Sequence, residues 1–172
     1  AVQLVREGKA DIPMKGILQT SNFARAILNK ETGLIPTGGR RLVSQCGIFE
    51  YEGRFVMITD AAINIAPDVE TQIGIVENAL PVARALGIDC PKVAVLSAVE
   101  NVTDKMPSTV SAKEIAERGV EGCVISGPLA LDGAISMESV KHKAIHDPVA
   151  GQADILLVPF IEIGNVLYKA CT

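Results

Sequence analysis

The chain contains no tryptophan, and only two tyrosines and four phenylalanines among its 172 residues. A core must therefore be assembled from Val, Ile, Leu and Ala, which suits parallel strands buried on both faces. An excess of positive charge is also missing: 16 Lys and Arg stand against 20 Asp and Glu, for a net charge of −4. Without a basic stripe or much aromatic surface for stacking, nucleic acid is excluded as the primary partner. No apolar stretch approaches the ~20 residues that span a bilayer. There is no signal-peptide pattern either, so a cytoplasmic protein is expected. The nucleotide signatures GxGxxG after a first strand and GxxxxGK followed by Ser or Thr are both absent.

The four cysteines, Cys46, Cys90, Cys123 and Cys171, make no CxxC pair. Three of them lie beside or inside apolar strand candidates, so reduced, buried thiols are expected, with a catalytic nucleophile as the alternative. An initiator Met is lacking too. The chain enters at once into an amphipathic pattern and stops at Cys171-Thr172 directly after another. A fragment of a longer protein is expected.

What is present is an alternation of strands and helices in a chain that is 48% hydrophobic, long enough for about one domain. Helices are expected over 1–8, 22–30, 68–86, 112–118, 136–144 and 166–171. Strands are expected over 11–17, 42–50, 54–59, 92–97, 121–126 and 154–158. The Glu52-Gly53 connection marks an antiparallel hairpin. The strongest helix carries Val69, Ile73, Val76, Leu80 and Ala83 on one stripe, between an Asp68 cap and a Gly87 stop. Pro81 inside it is expected to kink or split it. The 98–111 stretch, with Pro107, reads as a loop, and Gly127-Pro128 reads as a strand end. Such alternation argues for a mostly parallel sheet with helices on both faces.

The densest polar cluster is Thr59-Asp60-Ala61-Ala62-Ile63-Asn64-Ile65-Ala66-Pro67-Asp68, between the apolar run Phe55–Ile58 and the strongest helix. In an open α/β sheet the carboxyl end of a strand is where ligands bind. Other strand ends repeat the pattern: Thr20 and Arg25, Ser44, Ser97 and Glu100, Ser126 and Asp132, Glu162 and Asn165. Singly, each such residue serves as a cap or a turn; their accumulation favours a cleft. Arg25, read as near a helix start where the macrodipole disfavours a cation, points to an anionic ligand, with a surface salt bridge as the alternative. Gly38-Gly39 before Arg40-Arg41 reads as a solvated turn rather than a phosphate loop. His142 and His146, four apart, have metal spacing, but Asp147-Pro148 closes the helix and no third ligand is evident, so no metal is expected.

These residues resemble the phosphate acyltransferases, the phosphate acetyl- and butyryltransferases. The resemblance spans essentially the whole chain and rests on Met14-Lys15-Gly16, the 59–68 segment, Ser126-Gly127-Pro128-Leu129-Ala130-Leu131-Asp132, and Ala153–Pro159 running into Gly164-Asn165-Val166-Leu167-Tyr168-Lys169. Gly127-Pro128-Leu129-Ala130, where the acetyl branch carries a Gly-Glu-Leu-Gln type sequence, looks like the butyryl or branched-chain branch. So does Ser97-Ala98-Val99-Glu100 leading to Lys105-Met106-Pro107.

The resemblance implies a three-layer α/β/α fold of the isocitrate and isopropylmalate dehydrogenase type, with a cleft between two domains. It implies reversible conversion of acyl-CoA and phosphate to acyl phosphate and CoA, with coenzyme A as substrate, no metal or nicotinamide cofactor, and homo-oligomers. Lys15, Thr20, Arg25, Ser44, Thr59, Asp60, Asn64, Asp132, Gly164 and Asn165 are the expected substrate, CoA or phosphate residues. The family's Ser-Arg-Ala-Asp element lies downstream of the Gly-Asn-X-X-Tyr-Lys region, so residues 1–172 read as a partial domain without catalytic residues of its own. The family's N-terminal portion reads as missing too. The rival readings are a metal- and NAD-dependent hydroxyacid dehydrogenase and a non-catalytic acyl-CoA or phosphate-binding domain.

Overall fold

The structure, a computed structural model, describes residues 1–35 and 42–172. They fall into two compact units, Ala1–Arg41 and Leu42–Thr172. The Gly38-Gly39 and Arg40-Arg41 pairs lie outside the described residues.

The first unit holds two short helices, α1 (Val2–Arg6) and α2 (Thr20–Ile27), neither with a buried residue. The expected strand over 11–17 is not formed: Ile12, Met14 and Ile17 are exposed. A strand persists only where a neighbour takes its backbone N–H and C=O groups, and Pro13 removes one donor outright. Downstream of α2, Asn29 Oδ1 accepts from the Glu31 and Thr32 N–H groups, both at 2.9 Å.

The second unit is a five-stranded sheet with helices on both faces. In chain order it runs β1 (Cys46–Tyr51), β2 (Arg54–Thr59), α3 (Val69–Ala85), β3 (Lys92–Leu96), α4 (Pro107–Arg118), β4 (Val124–Leu129), α5 (Leu131–Ile135), α6 (Met137–Lys143), β5 (Ile155–Leu157) and α7 (Ile161–Ala170). The strand order is β1-β2-β5-β3-β4. The β1–β2 hairpin is antiparallel, with Tyr51 opposite Arg54, and every other pairing is parallel.

Residue parity assigns the two faces, because successive side chains on a strand point to opposite sides. Met57, Val93, Val95, Ile155 and Leu157 pack with Ile75, Val76, Ala79 and Leu80 of α3 and Ala112 and Ile115 of α4. Val56, Ile58, Ala94, Leu96 and Leu156 pack on the other side with Ala134 of α5, Val140 of α6 and, part-buried, Leu167 and Tyr168 of α7. Every residue of β5 is buried, so this three-residue strand is apolar on both sides.

Local chemistry sets the element ends. Asp68 caps α3 by accepting from the Thr71 N–H at 2.8 Å. At its other end Gly87 N–H reaches Arg84 O and Ile88 N–H reaches Ala83 O, both at 3.0 Å, around Gly87 at φ +84°. This is the glycine-dependent Schellman closure.

Four expectations are corrected here. Pro81 does not split α3; the buried stripe on either side holds the helix while one backbone bond is given up. Pro107 begins α4 rather than sitting in a loop, because a proline at the first helical position loses nothing. Gly127-Pro128 does not end β4, since β4 is an edge strand whose register shifts opposite Ala94–Leu96, where a missing N–H is tolerated. Cys90 is exposed rather than buried, in the bend between Gly87 and β3.

Ile155 is fully buried at the centre of the sheet. Ile155→Ala should lower unfolding stability by about 2–5 kcal/mol, read as a fall in the urea midpoint at unchanged slope.

Candidate functional site

The direction in which each strand is left defines a crevice. β2 and β3 are followed by α3 and α4 on one face; β5, between them, is followed by α7 on the other. Adjacent strands leaving in opposite directions open a gap at their carboxyl ends, the preferred ligand position in open parallel sheets. Here that gap is bordered by residues 60–65, 97–100 and 159–165.

Asp60 organises the first border. It is 2% exposed, and its carboxylate accepts four hydrogen bonds. Oδ1 takes the N–H groups of Ala62 (2.9 Å) and Ile63 (3.1 Å). Oδ2 takes the backbone N–H (3.0 Å) and side-chain Nδ2 (2.6 Å) of Asn64. The other hydrogen of the Asn64 amide goes to Val43 O at 2.9 Å. Buried Thr59 donates its hydroxyl to Gln45 O at 2.9 Å, and Asn78 of α3 donates to Leu42 O (3.0 Å) and Ser44 Oγ (3.1 Å). Side-chain donors thus satisfy the carbonyls of Leu42, Val43 and Gln45 ahead of β1.

The border after β5 closes on the same loop. Asn165 Nδ2 donates to Ala61 O at 3.1 Å, and Ile161 N–H to Ile65 O at 3.0 Å. A Cβ on Gly164 would stand 2.7 Å from Asp60 O and 3.0 Å from Ala61 Cα, so only glycine lets α7 approach this closely.

The border after β3 carries Ser97, whose Oγ pairs with Ser108 Oγ at 2.9 Å. Lys143 bridges Glu100 (3.0 Å) and Asp132 (2.9 Å). The Lys143 ammonium holds the Asp132 carboxyl below its ordinary range, and Asp132, with Glu100, holds Lys143 above its own. Ser126 Oγ donates to Asp147, whose other oxygen caps the Val149 and Ala150 N–H groups. An apolar cavity of about 570 Å³ opens between β3 and β5, walled by Leu96, Ala98, Leu131, Pro159, Ile163 and Val166, with Ser97 and Glu162 as its polar members.

The expected site residues therefore divide. Thr59, Asp60, Asn64, Gly164 and Asn165 meet in one network, to which Ser44 is tied through Asn78. Asp132 belongs to the separate Lys143 cluster. Lys15, Thr20 and Arg25 are exposed residues of the first unit. There Arg25 lines a groove of about 480 Å³ with Val2, Gln3, Asn22, Ala26, Asn29 and Thr32. The helix-start reading of Arg25 is corrected: it lies in the last turn of α2, where the macrodipole favours a cation, so that mismatch disappears. Its cause is a helix that begins and ends earlier than the sequence pattern indicates.

Sequence reasoning missed Asn78, whose role depends on a backbone segment 34 residues away from it at Ser44, and Lys143, visible only as a neighbour of His142. His142 is exposed, 3.7 Å from Glu138, and α6 ends before His146. Among the described residues no group of three or more His, Cys, Asp and Glu side chains is placed to hold a metal ion.

An open α/β sheet with a polar crevice at its carboxyl end is the architecture of many ligand-binding enzymes, and comparison narrows the class. The chain belongs to the Phosphate acetyl/butaryl transferase family, whose profile it matches over residues 1–172. It is 48% identical over 178 aligned residues to the phosphate butyryltransferase of Clostridium acetobutylicum, covering 100% of this chain and 58% of that protein. It is 45% identical, again over 178 aligned residues and 100% of this chain, to the phosphate acetyltransferase of Rhizobium meliloti, 55% of which it covers. The crystal structure of a branched-chain phosphotransacylase from Enterococcus faecalis V583 superimposes with a TM-score of 0.85 at 41% identity, over 99% of this chain and 62% of that one. The chain thus spans little more than half the length of the curated relatives it matches.

The expected isocitrate and isopropylmalate dehydrogenase type is corrected by the same finding: the fold is that of the phosphotransacylases. Strand and helix alternation specifies layers, which many families share, but not the strand order that separates them.

Asp60→Asn places an NH₂ group opposite the two Asn64 donors. Hydrogen exchange at residues 62–64 should accelerate and stability should fall by about 1–3 kcal/mol. An unchanged urea midpoint with unchanged exchange would contradict the network.

Proposed function

We infer that the protein containing this chain interconverts acyl-CoA plus phosphate and acyl phosphate plus CoA, with a four-carbon or branched acyl group. The observation carrying this reading is the match of the entire chain to a phosphate butyryltransferase, supported by the built polar crevice where an open sheet receives ligands. A phosphate oxygen attacks the thioester carbonyl, a tetrahedral intermediate forms, and its collapse expels the CoA thiolate. Such a reaction needs donors for the oxyanion and for phosphate, and a base for the reverse direction, where the CoA thiol must lose its proton.

In this assignment Lys15, Thr20 and Arg25 bind the anionic groups of phosphate or CoA; a guanidinium suits phosphate because it offers paired donors and never loses its charge. Thr59, Asp60, Asn64, Gly164 and Asn165 shape a rigid wall rather than perform chemistry, since the Asp60 carboxylate is already occupied by four donors. Ser44 and Asp132 complete the assigned binding set. The apolar cavity beside Ser97 offers the surface a short acyl chain requires. Coenzyme A is substrate, with no separate cofactor. The setting is the cytoplasm and the assembly a homo-oligomer.

The full-length protein should release free thiol from butyryl- or isobutyryl-CoA on addition of phosphate, followed with a thiol reagent. Arg25→Ala should raise KM for phosphate or CoA about 10-fold or more, as loss of a charge-assisted contact does. Absence of phosphate-dependent release with every acyl-CoA would refute the function; unchanged kinetics would remove Arg25 from the site.

A further inference from the structure

The core face packed by α5 and α7 carries a second apolar cavity, which adjoins the one beside Ser97. It measures about 400 Å³ and is floored by Val56, Ile58 and Leu156. These are inner positions of β2 and β5, whereas Leu96 and Pro159 of the first cavity stand at or just past strand carboxyl ends. The helices advance in the same sense. On α7, Ile163 lines the first cavity alone and Leu167 lines both; Cys171, just past the helix, lines the second alone. Spaced by four, the three share one helix face. On α5, Leu131 lines both cavities, and Ile135, again four residues on, lines the second alone. The cavities therefore lie in series between α5 and α7, one at the crevice and one behind it along the sheet. Leu131 and Leu167 are the residues they share.

We propose that the acyl chain enters this series from the crevice and that Leu131 and Leu167 form the stop that sets the longest chain accepted, an inference that rests on the acyl-transfer reading. The polar members of the first cavity, Ser97 and Glu162, suit its thioester end, and Ile163 and Val166 suit the first carbons of the chain. A longer chain then meets two branched side chains contributed by different helices. It must displace them or turn back into water. Behind them Val56, Ile58 and Leu156 belong to the buried core, which is close-packed and does not yield. Leu131 is exposed and Leu167 only part-buried, so the pair is the removable part of the obstruction. Glu50, the charged residue lining the second cavity, is exposed on the edge strand β1, which leaves the apolar floor undisturbed.

The test is calorimetric titration of the full-length protein with S-alkyl-CoA thioethers from butyl to decyl, which have no carbonyl and do not react. Each methylene that finds an apolar pocket should tighten binding about 3- to 4-fold. In the wild type this gain should end within the series. In Leu167→Ala, and separately in Leu131→Ala, it should continue, raising the decyl-to-butyl affinity ratio about 10-fold or more. Adding Ile135→Phe, which fills the second cavity, should return the Leu167→Ala ratio to the wild-type value. A ratio unchanged in both folded single variants would overturn the proposal. So would a raised ratio that survives Ile135→Phe, or absence of binding by every thioether. Phosphate-dependent thiol release from butyryl-CoA is read on the same wild-type sample. Its absence beside a shifted ratio would refute acyl transfer and leave the stop standing; its presence beside an unshifted ratio would do the reverse.

Discussion

A carboxylate removed from water must be given hydrogen bonds or it destabilises the fold that buries it. Asp60 meets that requirement with three backbone N–H groups and one side-chain amide, all within its own five-residue turn. The turn then has one shape, and that shape is used twice. Asn64 turns outward from Asp60 to hold Val43, which fixes the approach to β1. Ala61 and Ile65 present carbonyls that Asn165 and Ile161 grip, which fixes the start of α7. The 60–65 turn, the approach to β1 and the start of α7 are therefore not independent segments. They are one hydrogen-bonded unit whose centre is a single buried side chain.

The sheet beneath supplies the rigidity this unit needs. β5 is only three residues long, yet it is buried on both faces and paired on both sides. It inherits order from β2 and β3, and its alternating side chains join the two cores. Because α3 and α4 cover one face and α5, α6 and α7 the other, the carboxyl end of β5 is where the chain paths part. The crevice is a consequence of that topology, and the Asp60 turn lines it because β2 is the neighbour of β5.

Much of this was readable in the sequence. The 59–68 segment stands out as a polar cluster between an apolar strand and a helix, and the hairpin, α3 with its Asp68 cap, β3 and the layering follow from periodicity and turn chemistry. What escaped was whatever depends on a distant partner. The 11–17 stretch has a strand's composition but no ladder. Pro81, Pro107 and Pro128 were read as breakers, yet one sits in a helix anchored by a buried stripe, one opens a helix, and one lies on an edge strand. Asn78 was invisible because its acceptors are brought to it by the fold. The polar residues of the site were recognisable by type, but their division of labour was not: Asp60 has the composition of a binding residue and the environment of a structural one. Family was carried by the longer motifs, while the dehydrogenase-type fold attached to it failed because layer order alone does not choose among families.

For acyl transfer, a preset wall has an advantage over a mobile one, since groups already oriented require no reorganisation as charge develops. A ligand held at the carboxyl end of the sheet would meet such a wall in the Asp60 turn. Hydrogen exchange of the full-length protein with and without butyryl-CoA tests this most directly. Protection concentrated at residues 60–65, 97–100 and 160–165 is the predicted result. Protection confined to the other end of the strands, around 89–92, 121–124 and 151–154, or no protection at the carboxyl end, would contradict it.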